Sequence, residues 1–157
     1  MAIDYFLRIE GVTGESRDRI HLNEIEVDSF SIAETEQIVT DGGSGASTVG
    51  RVTFSGFDVV ARTSSASPPL FVACATGKHF VSAVLTGVRS GKAPHPFLVW
   101  TLSEVLVTGF QQSGSADGTF DQFTLQFNKI RIAYTPQKAD GSAGIAVVGE
   151  FDRKAGK

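Results

Sequence analysis

The sequence predicts a mainly β protein: a compact β-barrel with one short flanking α-helix, formed as a single domain over residues 1–157. Three observations carry this reading. Strand-length runs that alternate, or that are rich in β-branched and aromatic residues, fill most of the chain. Glycine, at 17 residues, exceeds the roughly 7% average and supplies turns. Only one segment carries both a helix start and a helix stop. A length of 157 residues suits one domain, and 41% hydrophobic residues, with 12 Phe, give it a sizeable core.

The first strand shows strict alternation. Ile3, Tyr5, Leu7 and Ile9 share one face and Asp4, Arg8 and Glu10 the other, with Phe6 as the exception, and Gly11 and Gly14 end the run. A charged loop, Gly14-Glu15-Ser16-Arg17-Asp18-Arg19, follows. In Glu24–Ala33, Ile25 and Val27 lie in one phase and Phe30 and Ile32 in the other, a slip that marks a bulge or bend. Glu34–Gly50 has almost nothing to bury and reads as a long polar loop, a length that usually signals function or disorder. Strand character returns at Arg51–Val60, with a switch near Gly56.

Ser67 as N-cap, Pro68 at the first helical position and Gly77 as C-cap bracket the helix. Phe71 and Cys74 are expected to pack it onto the barrel. His79–Arg89, Phe97–Phe110 and Phe120–Tyr134 are further strands, with turns at Gly91, Pro94, Gly114 and Gly118, and Ile145–Phe151 closes the chain. Seven or eight strands and one helix result, with no repeat of 20–50 residues.

Several function classes are excluded or weakened. A formal net charge of −3, with no like-charge run longer than two residues, gives no basic footprint for nucleic acid. Uncharged stretches such as Thr63–Gly77 fall short of the roughly 18 apolar residues of a membrane helix, so no membrane insertion is expected. The opening Met-Ala-Ile-Asp is not a cleavable secretory signal, and a lone Cys74 forms no internal disulfide.

No catalytic, cofactor or metal residues emerge. Gly42-Gly43-Ser44-Gly45-Ala46 lacks the final glycine of a nucleophile turn. His21, His79 and His95 lie in separate segments without zinc spacing. Asp117-x-Thr119-x-Asp121 opens like a calcium loop but has Gln122 at the sixth place and Asn128 at the twelfth. Asp41–Ser47 lacks the Lys-Ser/Thr of a phosphate loop. Glu24, Glu26 and Asp28 alternate, with successive members about 7 Å apart, as a solvated or interfacial face. Arg17 and Arg19 are candidates for pairing, within the chain or across a subunit contact. Polar loops on a barrel with β edges to hide point to self-association. The alternative is a monomeric β-barrel that binds a small ligand inside, which needs a cavity that the inward Phe, Val and Leu residues should fill.

Asp4-Tyr5-Phe6-Leu7-Arg8-Ile9 with Gly14-Glu15-Ser16, then Glu24-Ile25-x-Val27-x-Ser29-Phe30-Ser31, resembles the opening of the Hcp (haemolysin-coregulated protein) family. The likeness continues through Ser67-Pro68-x-Leu70, Ala73–His79, Glu104-Val105-Leu106-Val107 and Tyr134–Gly141, in order and nearly end to end. Family members often carry Trp near Phe30 and Ile32 and in place of Phe151-Asp152. The resemblance implies a phage tail-tube-like barrel that forms hexameric rings, stacked into the tube of the bacterial type VI secretion system. It implies spike, sheath and baseplate proteins as partners, with effector proteins in the ring lumen. It also implies export from the cytoplasm without a signal peptide, and no catalytic role. With the chain ending at Lys157, an appended toxin domain is not expected. On this footing Ser29, Ser31 and Ala33 are expected to face the lumen, where small side chains leave room for cargo. Asp41, Gly42, Gly43, Ser44 and Gly45 are expected to reach an adjacent ring or subunit.

Overall fold

Alternation decides which side chains of each strand turn inward, and pairing then closes those faces on one another. The computed structural model describes residues 2–40, 47–91 and 94–157. Among them run β1 (Ile3–Ile9), β2 (Ile25–Thr40), β3 (Ser47–Arg62), α1 (Ser67–Thr76) and β4 (His79–Arg89). β5 (His95–Ser115), β6 (Gly118–Gln126), β7 (Lys129–Tyr134) and β8 (Val147–Asp152) follow. The pairing order β4-β1-β2-β3-β6-β5 returns on itself through a β4–β5 ladder, so six antiparallel strands close into a barrel. β5 makes this possible by its length. Its first half pairs β4, with β7 on the opposite edge at Leu98–Ser103, and its second half pairs β6 from Leu106 to Ser115. β8 continues outward from β7.

The barrel interior is filled by Leu7, Ile9, Phe57, Val59, Leu85, Val105, Phe123 and Leu125, each almost fully buried. Large side chains thus occupy the interior that the small-ligand alternative would need open. Phe6, out of phase with its neighbours, is covered on the other face of β1 by the His21 ring, stacked at 4.5 Å. The slip expected in Glu24–Ala33 is a register shift between Val27 and Ser29, followed by another between Ile32 and Glu34. Opposite the second, Gly56 adopts φ +89°, and a Cβ there would come within 2.6 Å of Thr124 Cγ2. Only glycine can both take that backbone and let β6 approach.

Two expectations need correction. Glu34–Gly50 is not a loop along its length: β2 runs on to Thr40 and β3 starts at Ser47. β1 pairs β2 only as far as Val27, and β6 pairs β3 only from Phe57, so the rest is a two-stranded arm. A ribbon of this kind needs no apolar face of its own, and the β-branched Thr35, Ile38, Val39, Val49 and Val52 suit it. The helix is placed correctly and ends at Gly77 in the left-handed conformation (φ 70°), but its contacts differ. Leu70 and Ala73 enter the core, whereas Phe71 is 59% exposed and meets the barrel only edge-on to Phe110. Cys74 packs against the core from a half-buried position. Ala66, not Ser67, is the N-cap. The Ser67 hydroxyl is used elsewhere, accepting the Ser64 N–H at 3.0 Å and donating to Asp121.

Candidate functional site

The three histidines lie in separate parts of the structure. His21 Nδ1 lies 3.0 Å from Glu24 Oε2, while His79 and His95 sit on other strands. Among the described residues, no group of three or more His, Cys, Asp and Glu could hold a metal ion. Asp121, the last acid of the calcium-like run, is buried, and its carboxylate is saturated from within the protein. It accepts from Thr63 Oγ1 and Gln112 Nε2, each at 2.9 Å, and from Ser67 Oγ. One carboxylate thus ties α1 to the ends of β3, β5 and β6, a structural use that a charged group buried with three donors can sustain.

β2 presents the small-residue face as expected. Ser29, Ser31 and Ala33 are exposed, and Phe30 and Ile32 turn inward against the core. Phe30 stacks on Phe57 at 5.4 Å and meets Tyr5 edge-on at 5.1 Å, which fixes the opposite orientation of its serine neighbours. Ala33 N–H donates to Ser55 Oγ at 3.0 Å, so the end of this face is pinned at the second bulge.

The sheet extends this face beyond β2. Ser31 pairs with Asp58, Asp58 with Thr124, and Thr124 with Gly109; Ser29 pairs with Val60, Val60 with Gln122, and Gln122 with Gln111. Directly paired residues project to the same side. Two rows of small or neutral polar side chains therefore cross four strands, with Asp58 the single charge in them. Thr124 Oγ1 donates to that carboxylate at 2.5 Å. Sequence reasoning missed Asp58, Thr124, Gln122 and Gln111. Their outward phase is readable between Phe57, Val59, Phe123 and Leu125, but adjacency of β3, β6 and β5 to β2 is not a local signal.

Asp41, Gly42, Gly43, Ser44 and Gly45 lie outside the described residues. What the structure places is the arm that leads to them, β2 on one side and β3 on the other. Between that arm and the β7–β8 pair is an open groove of about 710 Å³, floored by Phe54, Trp100, Ile132 and Phe151 and rimmed by Glu34, Glu36 and Glu150.

At the far end of β5's first half, Glu104 sits at φ 54°. Its carboxylate accepts from Asn128 Nδ2 at 2.5 Å and pairs with Lys154 Nζ at 3.1 Å. The Asn128 hydrogen bond, then Lys154, holds the Glu104 carboxyl below its ordinary value of 4.5. Asp18 is also held low, first by the Ile20 and His21 backbone N–H groups.

Among the described residues, no helix is long and apolar enough to cross a membrane. The family described as type VI secretion system effector, Hcp, matches residues 6–134. Protein hcp1 of Pseudomonas aeruginosa is 35% identical over 145 residues, covering 90% of this chain and 89% of that one. The crystal structure of Hcp1 from Salmonella typhimurium superposes with a TM-score of 0.82 at 31% identity, over 100% of this chain and 99% of the other. A solved type six secretion system protein gives a TM-score of 0.91 at 22% identity, covering 99% of each chain, a likeness of fold.

Proposed function

This chain belongs to the Hcp family of type VI secretion proteins, and we propose that it works as a ring-forming tube subunit whose function is geometry and surface chemistry rather than catalysis. In this reading residues 1–157 act as one domain. Six copies form a ring by a heterologous contact, in which two different edges of the same barrel meet. Such a contact needs to bury on the order of 1,000 Å² or more to persist.

The observation that carries the reading is the four-strand face through Ser29 and Ser31. A sheet face this wide is ordinarily covered or charged. Here it is polar and nearly uncharged, with Asp58 its single charge, which suits the wall of a passage for folded proteins. We assign Ser29, Ser31 and Ala33, with Asp58, Val60, Gln122 and Thr124, to the lumen, where they would contact effectors. The arm, with Asp41, Gly42, Gly43, Ser44 and Gly45 at its end, is assigned to the next ring. Spike, sheath and baseplate proteins are the remaining partners, and the subunit moves from the bacterial cytoplasm outward through the type VI machine.

The test is the assembled mass. Size-exclusion chromatography with light scattering should give a species near six times 16.7 kDa, and negative-stain electron microscopy should show annular particles. A strictly monomeric species at high concentration overturns the ring.

A further inference from the structure

Two features remain without a role: the groove between the arm and β7–β8, and the pair of arginines ahead of β2. We propose that they meet between copies, the segment Arg17–Leu22 of one subunit seating in the arm groove of the next and forming the contact that repeats around the ring. This rests on the ring reading above and supplies its two unlike edges.

The segment is shaped to be recognised. Arg17, Arg19, Ile20 and Leu22 are all exposed, with Ile20 at 69% and Leu22 at 61%. They are not on a loose loop. Gly14 N–H donates to Asn23 O and Asn23 N–H to Ser16 O, each at 2.8 Å, and Ser16 N–H donates to Glu24 O at 3.0 Å. Asp18 Oδ1 accepts the N–H groups of Ile20 (2.9 Å) and His21 (3.1 Å), closing the turn from inside. Any Cβ at Gly14 would lie 2.4 Å from Glu24 O, so the neck of the loop requires glycine. His21, flat against Phe6, anchors the far side. A pinned segment with outward apolar and cationic side chains loses little entropy on docking.

The groove is its chemical complement. Phe54, Trp100, Ile132 and Phe151 offer an apolar, aromatic floor, and Glu34, Glu36 and Glu150 stand on its rim. Among the described residues, none of these glutamates forms an ion pair, and neither do Arg17 and Arg19. Ile20 and Leu22 can enter the floor while the two guanidinium groups meet carboxylates. The two patches belong to different parts of one chain, which is what a heterologous, ring-closing contact needs.

The experiment is a charge exchange in the full chain. Arg17→Glu with Arg19→Glu makes one variant, Glu34→Arg with Glu36→Arg and Glu150→Arg a second, and all five changes together a third. All five sites are exposed, and thermal melting checks that each variant folds. Assembled mass against concentration is read by light scattering. Each half-exchange should raise the concentration at which the hexamer is half-dissociated by roughly tenfold or more, and the combined variant should bring it back toward that of the unmodified chain. Half-exchanges that assemble like the unmodified chain, or a combined variant no better than its halves, overturn this contact while leaving the ring intact as a reading. A monomeric unmodified chain removes both.

Discussion

Single side chains here separate what holds the fold from what it shows to partners. Leu70 and Ala73 carry the helix into the core, and Phe71 lies beside them on the outside. Leu70→Ala should therefore cost about 2–5 kcal/mol and lower the melting temperature clearly. Phe71→Ser should cost about 1 kcal/mol or less, since it gives up an edge contact to Phe110 and little burial. Equal losses at the two sites would show that the helix lies with its other side inward. Glu104 sets a pH dependence. Its folded-state carboxyl is held below 4.5, chiefly by Asn128, so it favours the folded state above that pH and stops doing so as pH falls through the lowered folded value. Glu104→Gln keeps an acceptor for Asn128 but removes the charge facing Lys154. The melting-temperature gap between the two proteins should be open at neutral pH and close toward strongly acid pH; a gap that widens on acidification contradicts the assignment. The lumen assignment proposed for Ser31 has its own test. Ser31→Gln should leave melting and ring mass unchanged and weaken co-purification of an effector, while full retention of the effector would take Ser31 off the lumen.

At the level of elements, the arm is the clearest test of function against fold. β2 beyond Ile32 and β3 before Val52 add little to the barrel core, so deleting residues 42–47 should spare melting temperature and ring mass but impair the stacking of rings into tubes. Tubes of normal length from the deletion, seen by electron microscopy, would refute that role. The arm also shows where local sequence signals run out. The alternation in Ile3–Ile9, the phase slip before Phe30 and the helix bounded by Pro68 and Gly77 could all be read directly, because each depends on neighbours within a few residues. Thr35–Thr40 and Ser47–Val49 could not. They have no apolar phase, and what makes them a strand pair is β2 meeting β3. Phe71 was misleading for a related reason: the largest apolar residue of a short helix reads as its anchor, yet the side of the helix that faces the core carries Ser67, held by the Asp121 carboxylate, with Leu70 and Ala73.

For the whole molecule, closure is what local patterns foretell least and what matters most. Nothing in His95–Ser115 announces that its two halves serve different partners, yet the barrel exists only because they do. The serine face has the same origin: half of it is legible as alternation in β2, and the other half arrives from strands distant in sequence. In the ring reading proposed above, assembly would use surfaces left over once the barrel is closed, so it should be open to perturbation without unfolding the subunit.

β5 is the strand that meets three others, β4 and β7 across its first half and β6 along its second. It is thus the keystone under load. If the subunit is driven out of a cell by a contracting machine, the load falls on a barrel in which each of the six strands is held by ladders along both edges. The parts free to yield first are the arm and β8, each held along one edge. Were such subunits assembled into a tube as proposed, it should deform at its joints and decorations before its wall opens.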